Sequence, residues 1–137
     1  MKIPSSIRPI DVELLRKSVD AARPFPFFSI DNFLTTEFAE QVLASFPAFE
    51  TAKKEGKSFH AVNEKGKVQL TDSTSFAPAI QELNEVLASP EWLDILNYVM
   101  DIPKLLPDEQ LIGGGMHQTG PRGHLDVHVD FNYIEDR

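Results

Sequence analysis

Leu125, Val127, Val129 and Phe131 alternate with His124, Asp126, His128 and Asp130 near the end of this 137-residue chain. Strict alternation of apolar and polar residues is the pattern of a β-strand buried on one face. Residues i and i+2 of a strand point the same way, so the apolar set faces a core and the polar set forms a row on the other side. That row contains His-x-Asp twice, at His124/Asp126 and at His128/Asp130. An imidazole nitrogen and a carboxylate oxygen on one face can be offered together to one metal ion. The spacing alone does not choose between the two pairs, and a solvated polar face fits the same pattern.

Upstream, the chain reads as helices. Residues 11 to 22 form a first helix: Asp11 caps it or sits in its first turn, and Val12, Leu15, Val19 and Ala22 share a face. Pro24 and Pro26 end it. Phe25, Phe27, Phe28 and Ile30 read as a short, mostly buried strand. A second helix starts at Thr35 or Thr36, with Glu37 in its acidic first turn and Phe38, Val42, Leu43 and Phe46 as its stripe. Residues 50 to 75 are polar and lysine-rich, a long loop or a weak hairpin turning at Lys65-Gly66. Ala77 to Ala88 is a third helix, with Pro78 suited to its first turn and Ile80, Leu83, Val86 and Leu87 facing inward. Ser89-Pro90-Glu91 then restarts the chain as a helix: serine cap, proline at the first helical position, acid in the first turn. Trp92, Leu93, Leu96, Val99 and Met100 make its apolar stripe. Phe38, Val42, Phe46, Leu83, Leu87, Trp92, Leu96 and Val99 are the expected core. Strand texture begins only after Gln110.

The sequence holds 42% hydrophobic residues, enough for one domain with a core. Net charge is -8, which argues against nucleic acid as an obligatory partner, because phosphate binding needs a basic stripe. Cysteine is absent, which excludes disulfides and thiolate metal sites. No apolar run is long enough for a membrane span, and no apolar stretch marks a signal peptide, so a cytoplasmic protein without a membrane partner is expected.

Gly113-Gly114-Gly115 fits neither nucleotide-binding loop. Gln118 stands where a dinucleotide fingerprint needs its third glycine, and Pro121-Arg122 replaces the lysine and hydroxyl of a phosphate loop. Close passage of one backbone under another, or a bulge, is the expected role. His60, isolated among polar residues, reads as a surface side chain. His117 has two open readings, a residue near a metal or a hydrogen-bonded core histidine.

The run Gly113-Gly114-Gly115-Met116-His117, followed by Gly123-His124-Leu125-Asp126-Val127-His128-Val129-Asp130-Phe131-Asn132, resembles the 2-oxoglutarate/iron(II)-dependent oxygenases of the prolyl 4-hydroxylase-like group. There a glycine-rich strand precedes a segment ending in His-x-Asp-Phe-Asn. Residues 24 to 34 look like the opening strand of that family, and Leu105-Leu106-Pro107-Asp108 like its lead into the glycine strand. Only the C-terminal motif is specific.

The resemblance implies that His128 and Asp130 are the metal ligands, since Asp130-Phe131-Asn132 matches the family's Asp-Phe-Asn. His117, His124, Asp126 and Asn132 are then substrate-facing or support the ligands. The implied fold is α+β, with N-terminal helices packed on the first strands of an incomplete, jelly-roll-like double-stranded β-helix: residues 1–108 as helical support, 109–137 as the start of the core, in one domain. The implied cofactors are Fe(II) and 2-oxoglutarate, and the implied activity is hydroxylation of a small molecule or peptide. In the family, a distal metal histidine and a basic residue that anchors 2-oxoglutarate lie downstream of His-x-Asp. This sequence ends at Arg137, so it reads as the N-terminal portion of such a dioxygenase, inactive alone. The alternative is a non-catalytic interaction or remnant domain. An open sheet edge would pair it with another chain, as a homo-oligomer or a complementing partner.

Overall fold

The starts of α-helices at Val12, Thr36 and Pro90 follow from a side chain that satisfies one of the first free N–H groups. In the computed structural model, which describes residues 5–61 and 64–129, Asp11 accepts a hydrogen bond from the Leu14 N–H at 2.9 Å and starts α1, Val12–Ala21. Thr35 does the same for Phe38 at the start of α2, Thr36–Ser45. Pro78 opens α4, Pro78–Leu87, in a position where its missing N–H costs nothing. Ser89 caps α5, Pro90–Met100, by accepting from Trp92 N–H. Asp101 then ends α5 in the left-handed region at φ 56°.

The chain divides into two compact units, one built from Met1–Phe46 and Ala77–Pro107, the other from Pro47–Phe76 and Asp108–Arg137. In the first unit, α1 packs on α5 and α2 on α4. Leu15 and Val19 from α1 meet Trp92, Ile95 and Val99 from α5, and Phe28, Ile30, Phe33, Leu96 and Met100 close around them. The Phe33 and Trp92 rings lie 5.0 Å apart, an aromatic contact that adds to simple burial.

This core differs from the expected one in detail. Trp92, Val99 and Phe38 are buried, as their periodicity requires. Ile95 is buried where Leu96 was expected to lead, and Leu96 is only half-buried, because the stripe of α5 is centred on Trp92, Ile95 and Val99. Val42 and Leu83 are half-buried. Phe46 and Leu87 lie at the exposed edge, at 41% and 43% exposure, since the α2–α4 pair buries a stripe narrower than the apolar sequence.

Residues 25 to 30 do not form the expected buried strand. They run without a ladder partner, and Phe25 and Phe27 are 64% and 52% exposed, their rings 6.0 Å apart edge to face. Pro24 and Pro26 have no N–H to give a ladder, which is the physical reason pairing fails here. Only Phe28 and Ile30 turn toward the helical core.

In the second unit the hairpin alternative holds and the long loop does not. Residues 50 to 75 supply α3 (Phe49–Glu55), β1 (Lys57–Ala61), β2 (Glu64–Leu70) and one 3-10 turn at Ser73–Ser75. The sheet therefore starts at Lys57, well before Gln110. β3, Met116–Leu125, joins the other side of β2, giving an antiparallel sheet in the order β1-β2-β3. The hairpin reverses between Ala61 and Glu64, and Gly66 sits instead at the bulge between Lys65 and Lys67, at φ 70°. α3 lies on β2 and β3. Ala52, Val68, Leu70 and Met116 are buried, the last two directly paired across the strands. This is an α+β architecture. Among the described residues no helix is long and apolar enough to cross a membrane.

Candidate functional site

The glycine cluster positions β3. Gly115 adopts φ 97°, and a Cβ there would lie 2.3 Å from the Leu70 carbonyl oxygen. Only glycine lets the chain pass this close to the end of β2, the close-approach role expected of the cluster. Asp108 steadies the preceding loop: its Oδ2 accepts from Gly113 N–H at 3.0 Å and its backbone carbonyl from Leu111 N–H at 3.2 Å. The Gly114 carbonyl accepts twice, from the Gln69 side-chain amide at 2.9 Å and from His117 Nε2 at 2.8 Å.

His117 is therefore an exposed residue turned back on the glycine turn. Its exposure excludes the core-histidine reading. It pairs with Gln69 near the start of β3, whereas His124 pairs with Lys65 near the end. His60 is also exposed, but stands on β1 rather than in a loop.

The alternation that promised a strand through 131 stops early. β3 ends at Leu125, whose partner Glu64 is the first residue of β2. Among the described residues no strand forms a ladder with 126–129. Leu125, Val127 and Val129 are 49%, 104% and 90% exposed. His128 accordingly lies outside any strand, and the expected sharing of a face by His128 and Asp130 falls outside the described residues. Asp130, Phe131 and Asn132 lie outside the described residues.

Two short contacts organise what remains. His124 Nε2 stands 4.0 Å from Asp126 Oδ1, an ion pair when the ring is protonated. His128 Nδ1 stands 2.9 Å from the Asp126 backbone carbonyl. A carbonyl can only accept, so this Nδ1 carries a hydrogen, in the neutral and the doubly protonated ring alike. Metal-binding histidines commonly tie one ring nitrogen to a carbonyl in this way. Among the described residues no three His, Cys, Asp or Glu side chains converge as a metal-binding group.

Sequence reasoning left residues 50 to 75 between a long loop and a weak hairpin turning at Lys65-Gly66, and so did not set His60 opposite Lys65. The usable signal was Val68 and Leu70 alternating with Lys67 and Gln69, a strand pattern hidden by the surrounding lysines. Comparison of the chain with protein-family models, with curated proteins and with solved structures finds no match.

Proposed function

We propose that this chain carries two of the three protein ligands of an iron(II)/2-oxoglutarate-dependent dioxygenase, His128 and Asp130, in the segment that follows β3 of a jelly-roll-like core. What supports the reading is the His128 contact: with Nδ1–H donated to the Asp126 carbonyl, Nε2 is the nitrogen that a neutral ring would offer a metal. The His-x-Asp-Phe-Asn sequence agrees with it. Asp130 would supply the carboxylate oxygen; the family's third ligand, a histidine, and its basic anchor for 2-oxoglutarate have no assigned counterpart among the described residues. When bound, the metal and 2-oxoglutarate supply oxidative decarboxylation to succinate and carbon dioxide, coupled to hydroxylation of a substrate. The chain's own part is to hold its two ligands at a fixed separation and to orient the His128 ring. The Gly115 crossing and the β2–β3 ladder support the start of that segment.

The test is metal binding followed by turnover. The 137-residue chain should bind iron(II) weakly in anaerobic titration and release no succinate. A protein extended by its downstream sequence should bind tightly and release it. In that protein His128→Ala and Asp130→Ala should abolish both, while His124→Ala and Asp126→Ala should retain most of the activity. The reverse pattern would move the site to the first His-x-Asp pair. Succinate release by the short chain would refute the need for outside ligands.

A second reading, a non-catalytic domain that pairs with another chain, is favoured by one observation: Val127 and Val129 stand almost fully exposed beyond the end of β3. Sedimentation at rising concentration tests it, and a stable monomer throughout would count against it.

A further inference from the structure

Beyond the end of β3 the chain keeps the alternation of a strand, with Val127 and Val129 almost fully in solvent and Asp126 and His128 exposed between them. Exposure alone does not say what covers such a strip, but the order of its residues does. Laid antiparallel on a second copy about Val127, the segment is its own complement. Val127 meets Val127, Leu125 meets Val129, and Asp126 meets His128. The sequence carries the match one step further at each end, where His124 stands opposite Asp130. Directly opposed pairs are the unit of sheet stabilisation: apolar on apolar and acid on base are favourable, like charge on like charge is not. Neighbouring registers fail on that rule. A shift by one residue sets every polar residue against an apolar one. A shift by two sets Asp126 on Asp126 or, in the other direction, His128 on His128, and parallel pairing in register does both.

We infer that residues 125–129 pair antiparallel with the same residues of a second copy of this chain, about a two-fold axis through Val127. The inference rests on the reading of this chain as one that pairs with another, and adds to it the partner and the register. A segment fitted to an unrelated chain has no reason to complement itself, which is why the occupant is a second copy. A two-fold axis repeats each contact, since residue i meets j and j meets i. Leu125, Val127 and Val129 of both copies then share one face, where each covers apolar surface that the single chain leaves in water. The opposite face carries Asp126 against His128 twice, an accepting carboxylate across from an imidazole. So short a segment makes an interface well below the about 1,200 Å² of a stable complex. The pair is therefore an equilibrium that concentration drives and dilution undoes.

The full 137-residue chain has no cysteine, so single cysteines read the register directly. Sedimentation, with a chelator present to remove metal bridging, should show monomer passing to dimer as concentration rises. Under mild oxidation at high concentration Val127→Cys should form an intermolecular disulfide, because residues opposed across a ladder lie within the about 4.4–6.8 Å Cα separation that a disulfide spans. Leu125→Cys should not, because its two copies lie four residues apart along the ladder, about 13 Å. His128→Glu opposes two carboxylates and should weaken the dimer by at least about tenfold, and Asp126→Lys should weaken it too. An equimolar mixture of these two variants should associate as the parent does, because the new ammonium then faces the new carboxylate. Circular dichroism of each variant separates lost association from lost folding. A monomer at every concentration, with chelator or without, would overturn both this inference and the reading it rests on. A dimer that cross-links as readily through Leu125→Cys as through Val127→Cys, or that the mixture does not restore, would overturn the register and leave pairing standing. A dimer that forms only without chelator would assign association to a shared metal and overturn the inference likewise.

Discussion

The helical unit and the sheet unit use the same kinds of residue to different ends. In the helices, apolar periodicity is matched by a partner: Leu15 and Val19 repeat along α1 and find Trp92, Ile95 and Val99 repeating along α5. After β3 an equally regular period, Leu125 to Val129, finds no partner among the described residues and stays in solvent. Periodicity specifies which residues can share a face. It does not supply the surface that would cover that face. The covering helix α5 is itself far from α1 in sequence, so in helix and strand alike the cover has to come from elsewhere in the fold.

Core truncation should break this comparison most sharply. Trp92→Ala should destabilise the protein by about 3–5 kcal/mol, and Ile95→Ala by about 2–5 kcal/mol, as for other large buried side chains. Leu96→Ala, half-buried at the margin, should cost less than Ile95→Ala. Val127→Ala should stay within about 0.5 kcal/mol, the usual range for an exposed site. Urea denaturation of the four variants gives the order directly, and a Val127→Ala midpoint shifted as far as that of Ile95→Ala would mean the strip is covered in solution.

A smaller effect is expected at the glycine crossing. Gly115→Ala places a methyl group against the Leu70 carbonyl and forces a side chain into φ 97°, so a loss of at least about 1–3 kcal/mol is expected from backbone strain. Gly113→Ala, with no positive φ recorded, serves as its control. Equal midpoints for the two variants would remove the crossing from the account of how β3 is placed.

The mildest test concerns pH. The Tyr98 hydroxyl donates to Glu13 Oε1 at 2.8 Å, and this bond to a carboxylate, with some desolvation, holds the phenol above its ordinary value of 10.0. A group raised on folding favours its protonated form in the native state. Its contribution is complete below the unfolded value and is lost as pH climbs through the folded one. Tyr98→Phe should therefore flatten the alkaline end of the stability curve and leave its neutral part nearly unchanged. An alkaline limb identical to that of the parent protein would show that the α1–α5 hydrogen bond does not form.

Much of the helical unit was legible because its signals are local. Asp11, Thr35 and Ser89 each cap within three residues, and Pro78 and Pro90 each mark a first turn. The hairpin of β1 and β2 was legible only as an alternative to a loop, and with its turn placed at Lys65-Gly66, since its lysines and the bulge glycine at Gly66 look like loop until Val68 and Leu70 are seen buried. The same weakness affected the site. Alternation through Leu125, Val127 and Val129 suggested a strand, but a strand is a relation between two segments, and Glu64 is where the available partner begins. His128 kept a feature that no pattern encodes, its contact with the Asp126 carbonyl. His124 and Asp126 did come together, as their spacing suggested, though at 4.0 Å and on the surface.

The double acceptance at the Gly114 carbonyl has a consequence for His117. Nε2–H is present in the neutral tautomer that makes this contact and in the doubly protonated ring alike, so protonation leaves the clasp with Gly114 intact. Coordination does not: a nitrogen bound to a metal has no hydrogen left to donate. Capture of an ion through Nε2 would leave the Gly114 carbonyl with Gln69 as its one side-chain donor and loosen the turn that leads into β3. His117 can thus serve a metal through Nε2 or anchor the glycine turn through it, but a single ring nitrogen cannot do both.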